Sequence, residues 1–481
     1  MRRMLQLLFA LALAALLPSL ALCQTRALLV ACSDFVTQPE LGNTTSGNLQ
    51  MIGSALLGAS PRLAVLAVED GTIGTPQALE DAVCRAFGEA NEQDLSILYL
   101  CTHGVLSSAD DAQAYLLLGD GETETPLSAA QLYAMIADIQ GEKLLILDAC
   151  FSGALIGRGD GHGRRGKGVS PFLADPSIHV LTSADALEAG WYYDSDQLAT
   201  GAVSYFASAL SCGLGLYGAV EADANGDGVL TLQELHGYLR AAVPSSSSQL
   251  LSASADTLAL PVSEGAMLSR PLTGFAYGPS LLPASDPTLD FSFTVSQEAA
   301  VQYRLIEYRD GAWDWDGAKA FLDDGEDGEL LSPGRKTRSL TLSGISDADS
   351  GYLMLQVFSV CGSELLLCSE RLIAVQGESE GAMLALRAPH RLERPGLGEA
   401  TISVSLDVPA ELNVCVLDAE GRLVRRLSQS ALTRPGGANR LYWDGRDAQG
   451  NAVPGGDYVL AVEALVCGER QKATANITVG S

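Results

Sequence analysis

The chain has 481 residues and carries 58 acidic against 30 basic side chains, a formal charge of −28. That balance repels polyanions and acidic lipid heads, which excludes nucleic acid as a partner. A hydrophobic fraction of 47% belongs to folded globular units, and the length divides into about two to four of them.

Residues 1–23 place Arg2 and Arg3 before an apolar run that ends in small residues near Ala21 and Cys23, the architecture of an export signal peptide. Cleavage after Cys23 would give a secreted or cell-surface protein. Leu20-Ala21-Leu22-Cys23 also approximates a lipid-attachment site, so a lipid anchor at Cys23 is the alternative. No later apolar run is long enough to span a bilayer. Export permits disulfides, but the cysteines after Cys23 are odd in number, so at least one stays free or pairs outside the chain.

From residue 24 to 243 short apolar runs alternate with amphipathic stretches. ALLVACSD, RLAVLAVED, LSILYLCTHG, KLLILDACFSG and SIHVLTSAD have the length of buried strands, and PQALEDAVCRAFGEA, PLSAAQLYAMIADIQ and GAVSYFASALSCGL have helical spacing. This rhythm predicts an α/β domain whose parallel-rich sheet is covered by helices on both faces. Residues 244–284, opening with PSSSSQLLSASA, form a linker with room for one further strand. Period-two segments separated by Gly and Asp turns then predict two all-β sandwich domains, residues 285–377 and 383–481.

Two reactive side chains fall at carboxyl ends of predicted strands, where open parallel sheets bind ligands. His103 follows LSILYLCT, and Cys150 follows LLILDA. A thiol at a strand-to-helix turn gains from the positive end of the following helix and from a nearby imidazole. The N–H groups of Gly104 and Cys150 are placed to hold a developing oxyanion. The Cys150/His103 pair therefore suits nucleophilic attack on a carbonyl.

CTHG, YLLLGDGETETPLSAAQL, DACFSG, VLTSADALEAGWYYD and GAVSYFASAL together resemble the caspase-like cysteine peptidases, in their bacterial and metacaspase branch. The resemblance implies a caspase-like sheet sandwiched by helices, a peptide or protein substrate, and a His103–Cys150 catalytic dyad. It also implies that Asp148 lies in the pocket for the residue before the scissile bond and binds Arg or Lys there, which agrees with the affinity of carboxylates for guanidinium. The alternative role for Asp148 is to cap the next helix. A second acid that such relatives carry after the first strand is missing: LGNTTSGNLQMI offers Asn43 and Asn48, and Asp34 is the nearest carboxylate. Thr182 and Ser183 resemble the edge that pairs with substrate backbone, and Trp191 would wall a neighbouring pocket. GRGDGHGRRGKG, residues 157–168, stands where relatives carry an activation linker, with Arg164, Arg165 and Lys167 as self-cleavage candidates.

Residues 223–234 read DANGDGVLTLQE. Asp223, Asn225, Asp227, the Val229 carbonyl, Thr231 and Glu234 occupy the ligand positions of an EF-hand-like calcium loop, with Gly228 at the sharp turn. Helical text lies on both sides, and a single loop suggests a structural Ca2+ that pins the last helix of the α/β domain. His162, His179, His236 and His390 lack metal-ligand spacing, and nothing suggests an organic cofactor.

LNVCVLDAEGRLVRRL with RLYWDGRDAQGNAVPGGDYVLAVEAL is similar to the immunoglobulin-like domain of the flagellar hook-cap protein, which implies a spacer or docking module with cell-envelope contact. Asp349-Ser350-Gly351-Tyr352 faintly resembles an immunoglobulin corner. Cys361 with Cys368, Cys415 with Cys467, and Cys32 with Cys101 are the candidate disulfide pairs. The sequence thus leads to a secreted cysteine endopeptidase. A catalytically silent caspase-fold surface scaffold is the competing expectation.

Overall fold

The computed structural model describes residues 24–59, 62–107, 113–158, 170–194, 201–317, 319–320, 328–342, 351–361, 364–377, 383–435, 439–466 and 469–480. The export segment, His162, the self-cleavage candidates Arg164, Arg165 and Lys167, the pair Asp349-Ser350, Cys467 and the side chain of Cys361 lie outside the described residues.

The first domain is built on strands β1 (Thr25–Ala31), β2 (Leu63–Asp70), β3 (Leu95–Cys101), β7 (Glu142–Asp148), β8 (Ile178–Thr182) and β11 (Gln249–Leu251). They form one sheet in the order β11-β8-β7-β3-β1-β2, parallel except for β11, which runs antiparallel to β8. Residues of β1 alternate between two cores. Ala27, Leu29 and Ala31 face α1 (Asn43–Leu57), α5 (Tyr205–Gly213) and α6 (Leu232–Ala242), whereas Leu28 and Val30 face α2 (Pro76–Phe87), α3 (Ala129–Ile136) and α4 (Ser152–Leu155). Burial on both faces explains why these strands read as continuous apolar runs.

Helix ends follow local chemistry. Thr75 caps α2 through its hydroxyl, and Ser128 with Gln131 closes a capping box on α3. Helix α1 has no such signal: it begins NTTSG, and no side chain caps it. It is held by tertiary burial of Leu49, Met51, Ile52 and Leu56, which overrides weak local propensity.

A small antiparallel sheet, β4 (His103–Leu106), β5 (Ala114–Gly119) and β6 (Glu124–Leu127), grows directly from the end of β3. Strands β9 (Tyr192–Asp194) and β10 (Ala202–Ser204) form a two-stranded ribbon that leads into α5.

Two all-β domains follow, as the alternation predicts. In the first, strands Leu272–Tyr277, Thr288–Val295 and Gly334–Thr341 form one sheet, and Ala299–Arg309, Gly351–Cys361 and Glu364–Gln376 form the centre of another. Phe275, Phe291, Phe293 and Tyr303 fill the core. This domain begins at Leu272, inside the expected linker, because PLTGFAY supplies its first strand and QLL has already completed the α/β sheet.

The last domain pairs Ala400–Ser405 with Asn439–Trp443, and Glu411–Leu417 with Gly456–Val466 and Glu469–Val479 in a second sheet. Trp443 is fully buried at its centre, and its Nε1–H donates to the Arg446 carbonyl at 2.9 Å. The Tyr458 ring lies 5.5 Å away, edge-on, with its hydroxyl on the Pro454 carbonyl.

Candidate active site

The site begins with register. Parallel pairing sets Cys101 beside Asp148, so His103 and Cys150 each stand two residues beyond a paired position on adjacent strands. The Thr102 N–H donates to the Asp148 carbonyl at 3.2 Å, extending the pairing one step. Gly104 then lies directly against Cys150: a Cβ at 104 would overlap the Cys150 carbonyl oxygen. Only glycine allows this approach.

Beyond Cys150 the chain turns sharply. Phe151 has φ 58°, a left-handed conformation disfavoured for a side chain of its size, and α4 starts at the next residue. Strain of this kind concentrates at functional turns because the surrounding structure holds it in place. Here the holders are identifiable. The Phe151 N–H donates to the Glu188 carbonyl at 2.8 Å, the Gly153 N–H to the Ala184 carbonyl at 3.0 Å, and the Ala149 N–H to Ser183 Oγ at 3.1 Å. A Cβ at 153 would press on Ala184 and Ala186, so this second glycine is also dictated by packing.

His103 Nε2 is 2.8 Å from the Pro39 carbonyl, and its ring lies 4.7 Å from that of Phe35. A carbonyl only accepts, so Nε2 carries the proton in this arrangement, and in the neutral ring Nδ1 holds the lone pair. The two side chains share no hydrogen bond among the described residues. The Cys150 sulfur instead accepts the Gly190 N–H at 3.2 Å. The Cys150 N–H has no acceptor among the described residues, which leaves it free for a substrate oxygen. Pro39 and Phe35 carry no chemical motif, so only the fold reveals their role in orienting the imidazole.

Asp148 is 6% exposed. Its Oδ2 accepts from Tyr99 at 2.7 Å, Ser204 Oγ at 2.7 Å and Asn48 Nδ2 at 3.2 Å, and Asn48 Oδ1 accepts the Ser204 N–H at 2.8 Å. Burial pushes the carboxyl above its usual range, while the Ser204 and Tyr99 hydroxyls act in the opposite direction. No Lys or Arg pairs with it among the described residues. Burial, helped by the Asp148 charge, likewise lifts the thiol of Cys101 well above normal. Asp148 does not cap α4, whose N-terminus has no side-chain cap.

Several expectations need correction. Thr182 and Ser183 offer no free edge to a substrate, because Thr182 pairs with Gln249 of β11 and both side chains are buried. The Ser183 N–H donates to Leu147, its carbonyl accepts from Ser246 Oγ at 2.9 Å, and Ala184 is bonded through both backbone groups. The segment expected to be a tether has closed that edge. Trp191 is 51% exposed beside Gly190 and remains available as a wall. Cys32 and Cys101 are free thiols, their sulfurs engaged with the Ile73 carbonyl and Asn48 respectively; Cys415 is also a free thiol, and the Cys368 sulfur lies on the Leu366 carbonyl at 3.5 Å.

The loop 223–234 has half of its expected setting. Thr231 and Glu234 form a capping box on α6, with the Glu234 Oε2 accepting the Thr231 N–H at 3.0 Å. On the other side α5 ends at Gly213, well short of Asp223, so no incoming helix abuts the loop. Asp223 Oδ1 and Oδ2 accept the N–H groups of Gly226 and Gly228, at 2.9 and 3.0 Å. The donor set of carboxylates, amide and carbonyl oxygens suits a hard cation. Among the described residues, no group of three or more His, Cys, Asp or Glu side chains converges as a metal site.

Comparison with known proteins identifies two regions. Residues 1–172 match the CHAT domain family, and residues 392–466 match the FlgD Ig-like domain. The basal-body rod modification proteins FlgD of Salmonella typhimurium and Salmonella typhi are each 27% identical over 125 residues, which is 26% of this chain and 47% of theirs. The chain thus spans about half the length of these curated relatives. Among solved structures, caspase-1 from Spodoptera frugiperda is similar at 14% identity over 48% of this chain and 86% of that one, with a TM-score of 0.31. Latent PorU from Porphyromonas gingivalis is similar at 14% identity over 44% and 20%, with a TM-score of 0.19.

Proposed function

We propose that this chain, which joins a CHAT domain of caspase-like fold to a C-terminal FlgD-type immunoglobulin-like domain, is a secreted cysteine endopeptidase acting through His103 and Cys150. The CHAT match over residues 1–172 supports a caspase-like peptidase at the family level. The observation that carries the dyad is the β3–β7 register, which brings both residues to adjacent strand tips with Gly104 against the Cys150 carbonyl.

The chemistry follows from that placement. His103 Nδ1 takes the thiol proton, and the sulfur attacks the scissile carbonyl while the Cys150 N–H steadies the oxyanion. As the C–N bond breaks, the imidazolium returns the proton to the leaving amine. Water then adds to the thioester, releasing the carboxylic acid and restoring the thiol. Free-enzyme catalytic hydrogen bonds are often loose, so the absent His103–Cys150 bond is compatible with this role.

Preference for Arg or Lys before the scissile bond rests on Asp148, which has no cationic partner among the described residues. A substrate guanidinium or ammonium reaching it would supply one. For calcium, Asp223, Asn225, Asp227, the Val229 carbonyl, Thr231 and Glu234 would hold the ion. Its role would be to fix the start of α6. Self-cleavage would fall after Arg164, Arg165 or Lys167, and the β domains would serve envelope contact.

Alkylation of Cys150 by a basic chloromethylketone decides between enzyme and silent scaffold. The rate should exceed that of His103→Ala by about a hundredfold, the range for losing an acid–base partner. Equal labelling of wild type and His103→Ala would refute the peptidase reading.

A further inference from the structure

The immunoglobulin-like domain reaches the nucleophile turn by two routes that no spacer role requires, one through Arg158 and one through Ser247 and Glu188. Arg158 follows α4, its N–H bonded to the Gly153 carbonyl at 2.9 Å. Its guanidinium crosses to the last domain, where it meets Glu399 at 2.6 Å and lies 4.1 Å from the centre of the Tyr442 ring. Both side chains of the ion pair are largely buried, at 9% and 13% exposure.

The second contact acts through residues 188–190, whose Gly190 N–H bonds the Cys150 sulfur. Arg434, also in the last domain, donates to the carbonyls of Arg240 at 2.7 Å, Pro244 at 3.0 Å and Ser246 at 2.9 Å. Ser247, the next residue, gives its N–H and hydroxyl to the Glu188 carboxylate at 2.6 and 2.9 Å. Glu188 in turn accepts the Phe151 N–H through its carbonyl, two residues before Gly190 bonds the Cys150 sulfur. A cavity of about 2010 Å³ lies between the domains around these bridges, lined by Arg158, Glu188, Arg240, Glu399 and Arg434. Arg425 adds a hydrogen bond to the Ser252 carbonyl at 2.8 Å, away from the turn, whereas the Arg158 and Arg434 bridges lead to the residues that hold it.

We propose that Glu399 and Arg434 are positioning residues: the immunoglobulin-like domain holds the left-handed turn at Phe151 and thereby sets the geometry of Cys150. A guanidinium with a buried partner resists displacement, and removing one partner leaves an unpaired buried charge. A strained backbone needs external restraint, and Arg158 supplies it through the Gly153 carbonyl and Glu188 through the Phe151 N–H. The proposal gains catalytic meaning from the reading of Cys150 as nucleophile, but the restraint is measurable without turnover.

The experiment is amide hydrogen exchange on the full chain, following the peptide spanning 149–157. Glu399→Gln, which leaves the Arg158 charge unpaired, and Arg434→Ala, which leaves three carbonyls without their donor, should each speed its exchange by about tenfold, as for a local opening. Arg158→Met with Glu399→Met leaves no unpaired charge and should return the rate most of the way toward wild type. Lys472→Ala, which breaks an exposed pair with Glu463, should leave it unchanged. With a basic peptide substrate, the first two variants should lower kcat and spare KM. If exchange quickens only around residue 399 and not in 149–157, the positioning role fails. Should the chain never cleave peptide while 149–157 responds as stated, the peptidase reading falls and the restraint stands.

Discussion

Gly104 packs its α-carbon against the carbonyl of Cys150, a distance too short for any side chain. The contact joins the ends of two neighbouring parallel strands and fixes where sulfur and imidazole stand relative to each other. Gly104→Ala should therefore separate the strand tips. We expect peptide hydrolysis to fall by more than about a hundredfold while the melting temperature drops by only a few degrees, since the strain is local. Kinetics and calorimetry on one preparation check this; retention of wild-type kcat would contradict it.

The left-handed turn at Phe151 makes a second expectation. Replacement by glycine removes the backbone penalty, whereas alanine retains it and both lose the same ring. Phe151→Gly should be more stable than Phe151→Ala by about 1 kcal/mol. Denaturant unfolding of the pair measures the difference, and an alanine variant equal to or better than glycine would remove strain from the account.

Asn48, in the segment after the first strand that lacks a second acid, bonds Asp148 through its side-chain amide. Asn48→Asp would set two carboxyls together in a buried site, which then share a proton. The added pKa is raised above its unfolded value, so its stabilising protonated form is present at low pH and lost as pH rises. The variant should match wild type near pH 4 and unfold more easily at neutral pH, by about 1–3 kcal/mol. Thermal melts across that range provide the check.

Glu370, buried in the first β domain, accepts from Gln356 at 2.7 Å, while its Oε1 is buried with no partner among the described residues. Burial raises its carboxyl to about 8. A raised acid contributes its full stability below the unfolded value and loses it as pH climbs through the folded one. Glu370→Gln should thus leave the melting temperature unchanged near pH 4.5 and raise it at pH 8.5. A variant less stable than wild type at the higher pH would show that the ionised carboxylate is tolerated.

Calcium gives the last expectation. Asp223→Ala combined with Glu234→Ala should abolish any rise in melting temperature on adding Ca2+, while Thr231→Ser, which keeps the cap on α6, should preserve it. If wild type shows no calcium-dependent rise, the loop is an ordinary turn closed by its own side-chain oxygens.

Sequence alone settled what depends on short-range pattern. Continuous apolar runs ending in CTHG and DACFSG specified buried parallel strands with reactive tips, because a strand covered on both faces has no reason to be polar until it leaves the sheet. Alternation after residue 285 specified sandwiches for the complementary reason. Tertiary structure decided everything set by distant pairing. It converted NTTSGNLQMIGSALL into a buried helix that delivers Asn48 to Asp148, and seated His103 on Pro39. It also laid QLL along β8, closing an edge that looked open to substrate. The docking of Glu399 and Arg434 onto the nucleophile turn joins residues far apart in the chain. No local periodicity encodes such contacts, since their free energy exists only once the domains have met.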